Sequence, residues 1–577
     1  MKKKLLPALI VTGLIILVVI IMGITALINK YTPTKKTEDL KEYFNISSDD
    51  EAALIVDNEL SDYKAKIIDK KIYVDYKFVH DSLNSRFYWD ANENVLLYTT
   101  ASDIISAAAD SNSYSVTKQT NDFGYPIVKA TSDSALIALD YVKQYSNITF
   151  KSYDDPARIV ITSKWDEIDS ATVSKSTQVR VKGGIKSPIL KEVKKDDKIT
   201  ILDSGDKWDK VATEDGVIGY IKRKALSESK KTKLTNPDYE EETFTHIKKD
   251  KDICLAWNQV TSQSANSNVP QVISSTKGIN VMSPTWFYLN DNNGNLADIA
   301  SKDYVSYCHS QGIEVWGLFS NLENTDVDAA YVLTHTSTRT TLINQIMSAA
   351  FNYELDGVNI DFENITEAAY GDSYIEFIRE LSIKCHNNGI SLSVDVTVPA
   401  SFNKFFNRSD MAKFADYIVI MGYDEHYKGS DAGSVSSIPW VTEGVESTLK
   451  EVPADQIILG MPFYTRIWEL TPKEDDDAVT DTEDQSKYTV ASQVYSMDAA
   501  AAQLATNNAT AALDEESGQN YAEWSASNKL YKVWLEDSTS LEKRLKLVDD
   551  NKLAGAAFWK LGFENSSVWD TVIKYLD

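Results

Sequence analysis

Hydrophobic positions change their spacing along this chain, and each change marks a different kind of element. From Leu5 to Ile28 the run is uncharged and unbroken, on the order of the ~20 apolar residues that a bilayer-spanning helix needs. Residues 30–50 are polar and read as a stalk. Over 51–166, short apolar runs such as Ile72–His80, Arg86–Trp89 and Asn94–Tyr98 predict an α+β domain. A weaker second copy follows at Ala135–Val142, Thr149–Phe150 and Arg158–Thr162. Over 171–226 apolar positions alternate, as in Val179–Val181, Lys198–Leu202, Trp208–Val211 and Val217–Ile221, with turns at Gly183-Gly184, Ser204-Gly205 and Asp215-Gly216. Period-two alternation bounded by turn residues predicts a small all-β domain. Residues 227–251 form a charged linker. From 252 to 577 apolar strands alternate with amphipathic helical stretches, the mark of a parallel sheet.

The strands of this last region are expected at Ile253–Trp257, Ile279–Pro284, Glu314–Phe319, Gly357–Phe362, Ser391–Val398, Asp416–Tyr423, Ile457–Pro462 and Gly555–Trp559. Eight such units close into a (β/α)8 barrel of the α/β class, with its active site at the C-terminal ends of the strands. Residues 464–553 are too many for one helix and predict an insertion, with Tyr521–Trp534 as part of it.

Charge alters the picture at two points. Lys2, Lys3 and Lys4 precede the apolar run and favour a cytoplasmic N-terminus with the rest of the chain outside. Residues 1–29 then form a single-pass anchor; a cleaved signal peptide is the alternative. The formal net charge is −26 and the pI about 4.7, which argues against a nucleic-acid partner. The cysteines Cys254, Cys308 and Cys385 are an odd, sparse set and predict buried thiols rather than a disulfide framework. His80 reads as a surface histidine.

The fourth predicted strand carries the chemistry. Side chains alternate across a strand, so Asn359, Asp361 and Glu363 share one face while Val358, Ile360 and Phe362 share the other. The apolar set packs against outer helices, and the polar set points into the barrel and rises to its mouth. Buried polar groups are costly without partners, so a line of three points to catalysis. In strand five Asp395 points inward with Ser393 and Thr397, in a substrate pocket or in a structural hydrogen bond. Trp286, Tyr288, Trp468 and Trp534 are candidates for stacking on sugars. Asp475-Asp-Asp477 is either a cation site or a solvated loop. The chain has no His-Glu-x-x-His, Gly-rich phosphate loop or Gly-x-Ser-x-Gly elbow, and neither metal nor cofactor is expected.

The run Asp356-Gly-Val-Asn-Ile-Asp-Phe-Glu363 resembles the Asp-x-x-Asp-x-Asp-x-Glu signature of glycoside hydrolase family 18, which holds chitinases and bacterial spore and wall lytic enzymes. Met421-Gly-Tyr-Asp424 and Ala557-Phe-Trp-Lys-Leu-Gly562 resemble the family's sixth and eighth strand ends. Ser283–Phe287 and Pro462–Arg466 look like its peptidoglycan-acting branch. The resemblance implies that Glu363 protonates the glycosidic oxygen and that the substrate's N-acetyl oxygen attacks the anomeric carbon. It further implies that Asp361 and Tyr423 hold the acetamido group, that Trp559 lies beneath the sugar, and that Asp424, Met421 and Asn359 line the site. Asn359 departs from the family, which has aspartate there. The implied substrate is β-1,4-linked N-acetylhexosamine, in peptidoglycan or a chitin-like polymer. A chitinase, an endo-N-acetylglucosaminidase and a non-catalytic wall-glycan-binding protein are the alternatives. Upstream, 171–226 resembles a bacterial SH3-type barrel at Trp208 and Gly219-Tyr220, which implies a cell-wall partner. The first α+β unit resembles the small repeat named after copper amine oxidases.

Overall fold

The computed structural model describes residues 5–363, 365, 370–473 and 484–576, and the chain divides into two compact units. One comprises Met1–Phe87, Ala107–Ser113 and Asp122–Glu241; the other comprises Tyr88–Ser106, Tyr114–Asn121 and Glu242–Asp577.

In the first unit Leu5–Tyr31 is one helix, and Pro7–Tyr31 is long and apolar enough to cross a membrane. Pro7 lies in its first turn, where the missing N–H costs nothing. The α+β region repeats its order. Strand Lys71–Asp75 leads into helix Tyr76–Ser82, as strand Ala135–Ala138 leads into helix Leu139–Tyr145, and these two strands pair with each other. The β-rich region forms a seven-stranded sheet that includes Thr177–Arg180, Lys198–Asp203, Trp208–Thr213 and Ile218–Lys222. Phe44, from the stretch read as a stalk, and Ala53 and Ile55 of the α+β region share one core with Val173, Val179, Val211 and Val217 of the β-rich region.

The second unit is built on a closed parallel barrel. Its strands are β1 (Ile253–Asn258), β2 (Val281–Leu289), β3 (Glu314–Ser320), β4 (Gly357–Asp361), β5 (Ser391–Thr397), β6 (Tyr417–Met421), β7 (Ile457–Pro462) and β8 (Gly555–Trp559). Each pairs with the next, and β8 pairs back with β1 through Ile253 and Gly555. Leu255, Trp257, Trp316, Leu318, Tyr417 and Val419 fill the interior. Val358, Ile360, Leu392 and Val394 face the helical shell. Between β7 and β8 the chain inserts a five-stranded antiparallel sheet, which includes Tyr464–Pro472, Gln519–Ala526 and Lys529–Leu535. Cys254, Cys308 and Cys385 are buried and unbridged.

The helix after β4, Gly371–His386, is buried on nearly all sides, and its charges are matched internally. Arg379 bonds Glu376 at 3.0 Å and also bonds Asp410; Glu380 accepts from Arg339 at 2.8 Å. Residues of the Tyr88–Ser106 segment complete this cover. Tyr88 bonds Ser373 at 2.9 Å, Thr99 donates to Glu376 at 2.9 Å, and the Arg339 guanidinium lies 5.0 Å from the Tyr88 ring.

Candidate active site

Strand β4 divides its side chains as the alternation requires. Val358, Ile360 and Phe362 join the outer core, and Asn359 and Asp361 point into the barrel. Glu363 follows the strand end at the mouth, where solvent reaches it.

Asn359 is 0% exposed and lies beneath the mouth. Its amide oxygen accepts from Trp257 Nε1 at 3.0 Å and from Ser283 Oγ at 3.0 Å. Its amide nitrogen donates to Ser393 Oγ at 3.0 Å and to Asp395 Oδ1 at 2.7 Å. An indole N–H only donates, so the Trp257 contact fixes which way the amide points. The expectation that Asn359 touches substrate is therefore corrected. All of its hydrogen-bonding capacity is spent inside the barrel, on partners from β1, β2 and β5.

Above it the carboxyl groups crowd together. Asp361 Oδ1 is buried and has no hydrogen-bond partner among the described residues. Burial, then Asp395, Glu363 and Glu323, push the Asp361 carboxyl well above the usual carboxylate range. Asp395 is pushed up too, by burial first, with the Asn359 amide opposing and Glu363 adding. Glu363 is raised by desolvation among surrounding protein atoms and by the charges of Asp424 and Glu323. Ionised carboxylates so arranged repel one another, which favours proton retention. A carboxyl that keeps its proton toward neutrality is what general acid catalysis requires.

Aromatic groups form the floor. The ring of Trp257 lies 6.0 Å from that of Trp559 and 6.4 Å from that of Tyr423. Both Trp559 and Tyr423 are only partly buried and reach the mouth. The Tyr423 hydroxyl is pushed up by burial and by Asp361, Asp395 and Glu363, so it stays a hydrogen-bond donor. After β6 the backbone turns sharply. Asp424 adopts a left-handed φ of 59°, and its Oδ1 accepts from Tyr464 Oη at 2.5 Å, with Arg466 at 3.6 Å. A cleft beside Glu363 is lined by Asp395, Thr397, Phe402, Phe405 and Met421, which places Asp395 and Met421 at its wall.

Two of the proposed sugar-stacking tryptophans are core residues. Trp286 is 0% exposed and donates to Asn266 at 2.8 Å, because β2 continues beyond Pro284 to Leu289 and turns this ring outward. Trp468 is buried and donates to the Gly433 carbonyl at 2.8 Å. Tyr288 and Trp534 are half-buried. Asp475-Asp-Asp477 lies outside the described residues. Trp257 and Tyr464 had no assigned role in the sequence. Trp257 ends an apolar run like any core residue, while Tyr464 sits in Pro462–Arg466, the one local signal that pointed to it.

The model of glycosyl hydrolases family 18 matches residues 319–564. The uncharacterized glycosylase YvbX of Bacillus subtilis (strain 168) is 23% identical over 348 residues, 56% of this chain and 95% of that protein. The cortical fragment-lytic enzyme of the same organism is 25% identical over 287 residues, 48% of this chain and 63% of that protein. Among solved structures, the C-terminal domain of a protein described as a chitinase, from Desulfitobacterium hafniense DCB-2, is 18% identical with a TM-score of 0.50. It covers 56% of this chain and 98% of that one, and its likeness is one of fold alone. The C-terminal unit carries a glycosidase domain.

Proposed function

We propose that the glycosidase carried by this barrel hydrolyses β-1,4-linked N-acetylglucosamine bonds in peptidoglycan by substrate-assisted, retaining catalysis, held at the cell surface by the N-terminal helix. The observation that carries the reading is the pair Asp361 and Glu363. The Glu363 carboxyl at the mouth is raised above the usual carboxylate range, and Asp361 directs into the barrel a buried oxygen that has no partner among the described residues.

Glu363 gives its proton to the glycosidic oxygen. The acetamido oxygen of the substrate attacks the anomeric carbon, the substrate-assisted exception to the two-carboxylate scheme. Asp361, as the anion, accepts from the acetamido N–H and offsets the positive charge that develops on the ring. Tyr423 donates to the acetamido oxygen and holds it under the anomeric carbon. Trp559 forms the apolar floor. Water then opens the intermediate, with Glu363 now acting as base.

Peptidoglycan is favoured over chitin for two reasons. An apolar N-terminal helix fits a surface enzyme of a walled cell, and a matched relative is named for lysing cortical fragments. The SH3-type reading of 171–226 would add a wall-binding module. Within peptidoglycan, the free O3 of GlcNAc fits beside Asp361 and Tyr423 more readily than the lactyl ether of MurNAc. Digests of purified peptidoglycan, reduced with borohydride and analysed by mass spectrometry, should therefore contain glucosaminitol ends. De-N-acetylated glycan should resist cleavage. Dominant muramicitol, or ready cleavage of the de-N-acetylated polymer, would contradict the assignment. Release from chitin oligomers alone would favour the chitinase reading.

A further inference from the structure

We infer that Asp395 on β5 is a positioning residue that shares one proton with Asp361 and takes it when Asp361 becomes the anion facing substrate. This rests on the glycosidase reading above and adds a residue to it.

The geometry comes from the parallel ladder. Asn359 is registered against Ser393 and Ile360 against Val394, so the next pair toward the mouth is Asp361 and Asp395. Neighbouring strands lie about 4.8 Å apart, and both side chains face the interior. On its other side Asp361 is registered against Ser320 of β3. Groups of like charge surround the pair. Glu363 lies beyond the end of β4 and Glu323 beyond β3, Asp424 beyond β6 acts on Glu363, and the hydroxyls of Tyr423 and Tyr374 are within electrostatic reach. Among the described residues no lysine or arginine is paired with either aspartate. Two adjacent buried carboxyls without a cation cannot both ionise cheaply, and such pairs hold one proton between them.

The amide of Asn359 sets the direction of that proton. Its oxygen is fixed by the Trp257 indole, so its nitrogen must donate to Asp395 Oδ1. Asp395 Oδ1 is thereby an acceptor, and any proton on Asp395 resides on Oδ2. Asn359 itself takes no proton, and of the two strands beside Asp361, β3 offers Ser320 while β5 offers the carboxyl of Asp395. In the step, the O–H bond of Asp361 breaks with its electron pair left on that oxygen, and an Asp395 oxygen lone pair forms the new O–H bond. The pair keeps a charge of minus one throughout, and no proton has to leave a site closed by the sugar.

Moving the carboxyl between strands tests this. In the full chain, Asp395→Asn should lower kcat on peptidoglycan by about tenfold or more with little change in KM. The acid limb of kcat/KM should move to higher pH, because Asp361 must then ionise without a neighbour to take its proton. Asn359→Asp in the Asp395→Asn background puts a carboxyl back beside Asp361 and an amide opposite it, and should restore most of the loss. Unchanged turnover and limbs in Asp395→Asn would overturn the inference. So would a loss that the double variant, folded by circular dichroism, fails to repair. A readout independent of turnover separates this from the glycosidase reading. Infrared spectra at neutral pH should show one protonated-carboxyl band for the pair, kept in Asp395→Asn, where Asp361 then holds the proton alone, and lost in Asp361→Asn/Asp395→Asn. Loss of one band in Asp395→Asn and of a second in the double variant, or no loss in the double variant, shows that no proton is shared, whether or not the chain cleaves glycan.

Discussion

Glu363 meets two demands that conflict in free solution: it must hold a proton near neutrality and give it up within one catalytic step. Desolvation among surrounding protein atoms and the neighbouring Asp424 and Glu323 reconcile them by raising its pKa, and among the described residues no cation is paired with it. The sign of the pH dependence follows. A raised pKa keeps the acid form to higher pH, and activity falls on the alkaline side as Glu363 ionises. Asp424→Asn keeps an oxygen for the Tyr464 hydroxyl but removes the largest neighbouring charge. The alkaline limb of the kcat/KM profile should then move to lower pH; an unmoved or raised limb would show that Asp424 does not act on Glu363 electrostatically. At this scale the sequence was informative wherever alternation along one strand decided the outcome, as at Val358 to Glu363. It was silent on Asn359, whose partners Trp257, Ser283 and Asp395 lie 102, 76 and 36 residues away. Cross-barrel register is not written in local spacing. Trp286 failed for a related reason. Ser283 faces the interior, and an odd offset puts residue 286 on the opposite side, but that inference needed the strand to continue past Pro284, where a local irregularity also shifts the register.

Among the elements, the helix Gly371–His386 departs furthest from its sequence pattern. Charged residues on a helix usually mark a solvated face, yet Glu376, Arg379 and Glu380 are buried. Their partners come from Arg339, Asp410 and Thr99, at other points in the chain, so no helical periodicity announces them. This helix follows the catalytic strand and packs behind it through Tyr374 and Phe377 against Phe362. Removing one member of a buried pair leaves an uncompensated charge, which costs about 3–5 kcal/mol, whereas replacing both by apolar groups of similar size is often neutral. Arg339→Met should therefore lower the unfolding free energy read from denaturant titration by an amount in that range, and Arg339→Met/Glu380→Met should recover most of it. Equal losses in the single and double variants would show that Arg339 acts through packing, for instance on the Tyr88 ring, and not through its charge. The barrel strands themselves were legible to within a few residues, because a parallel strand buried on both faces reads as a continuous apolar run.

In the whole molecule, the barrel, the insertion between β7 and β8 and the apolar N-terminal helix follow from hydrophobic period and length. The assignment of Tyr88–Ser106 to the barrel unit does not, since alternation says only that a hairpin has one apolar face and not what covers it. The helix makes a separable claim. If Pro7–Tyr31 anchors the chain with its C-terminal side outside, protease added to intact cells should remove the mass beyond about residue 29, and the intact protein should fractionate with membranes. A soluble form that begins after the helix would identify a cleaved signal instead. That Glu363 is the acid of a glycosidase is tested most directly by the release of reducing ends from purified peptidoglycan by the full chain and by Glu363→Gln, each checked for folding by circular dichroism. General acid catalysis contributes roughly 10²–10⁴-fold, so the variant should retain the fold and lose turnover on that scale. Turnover close to that of the unaltered chain would contradict the assignment of Glu363 as the acid.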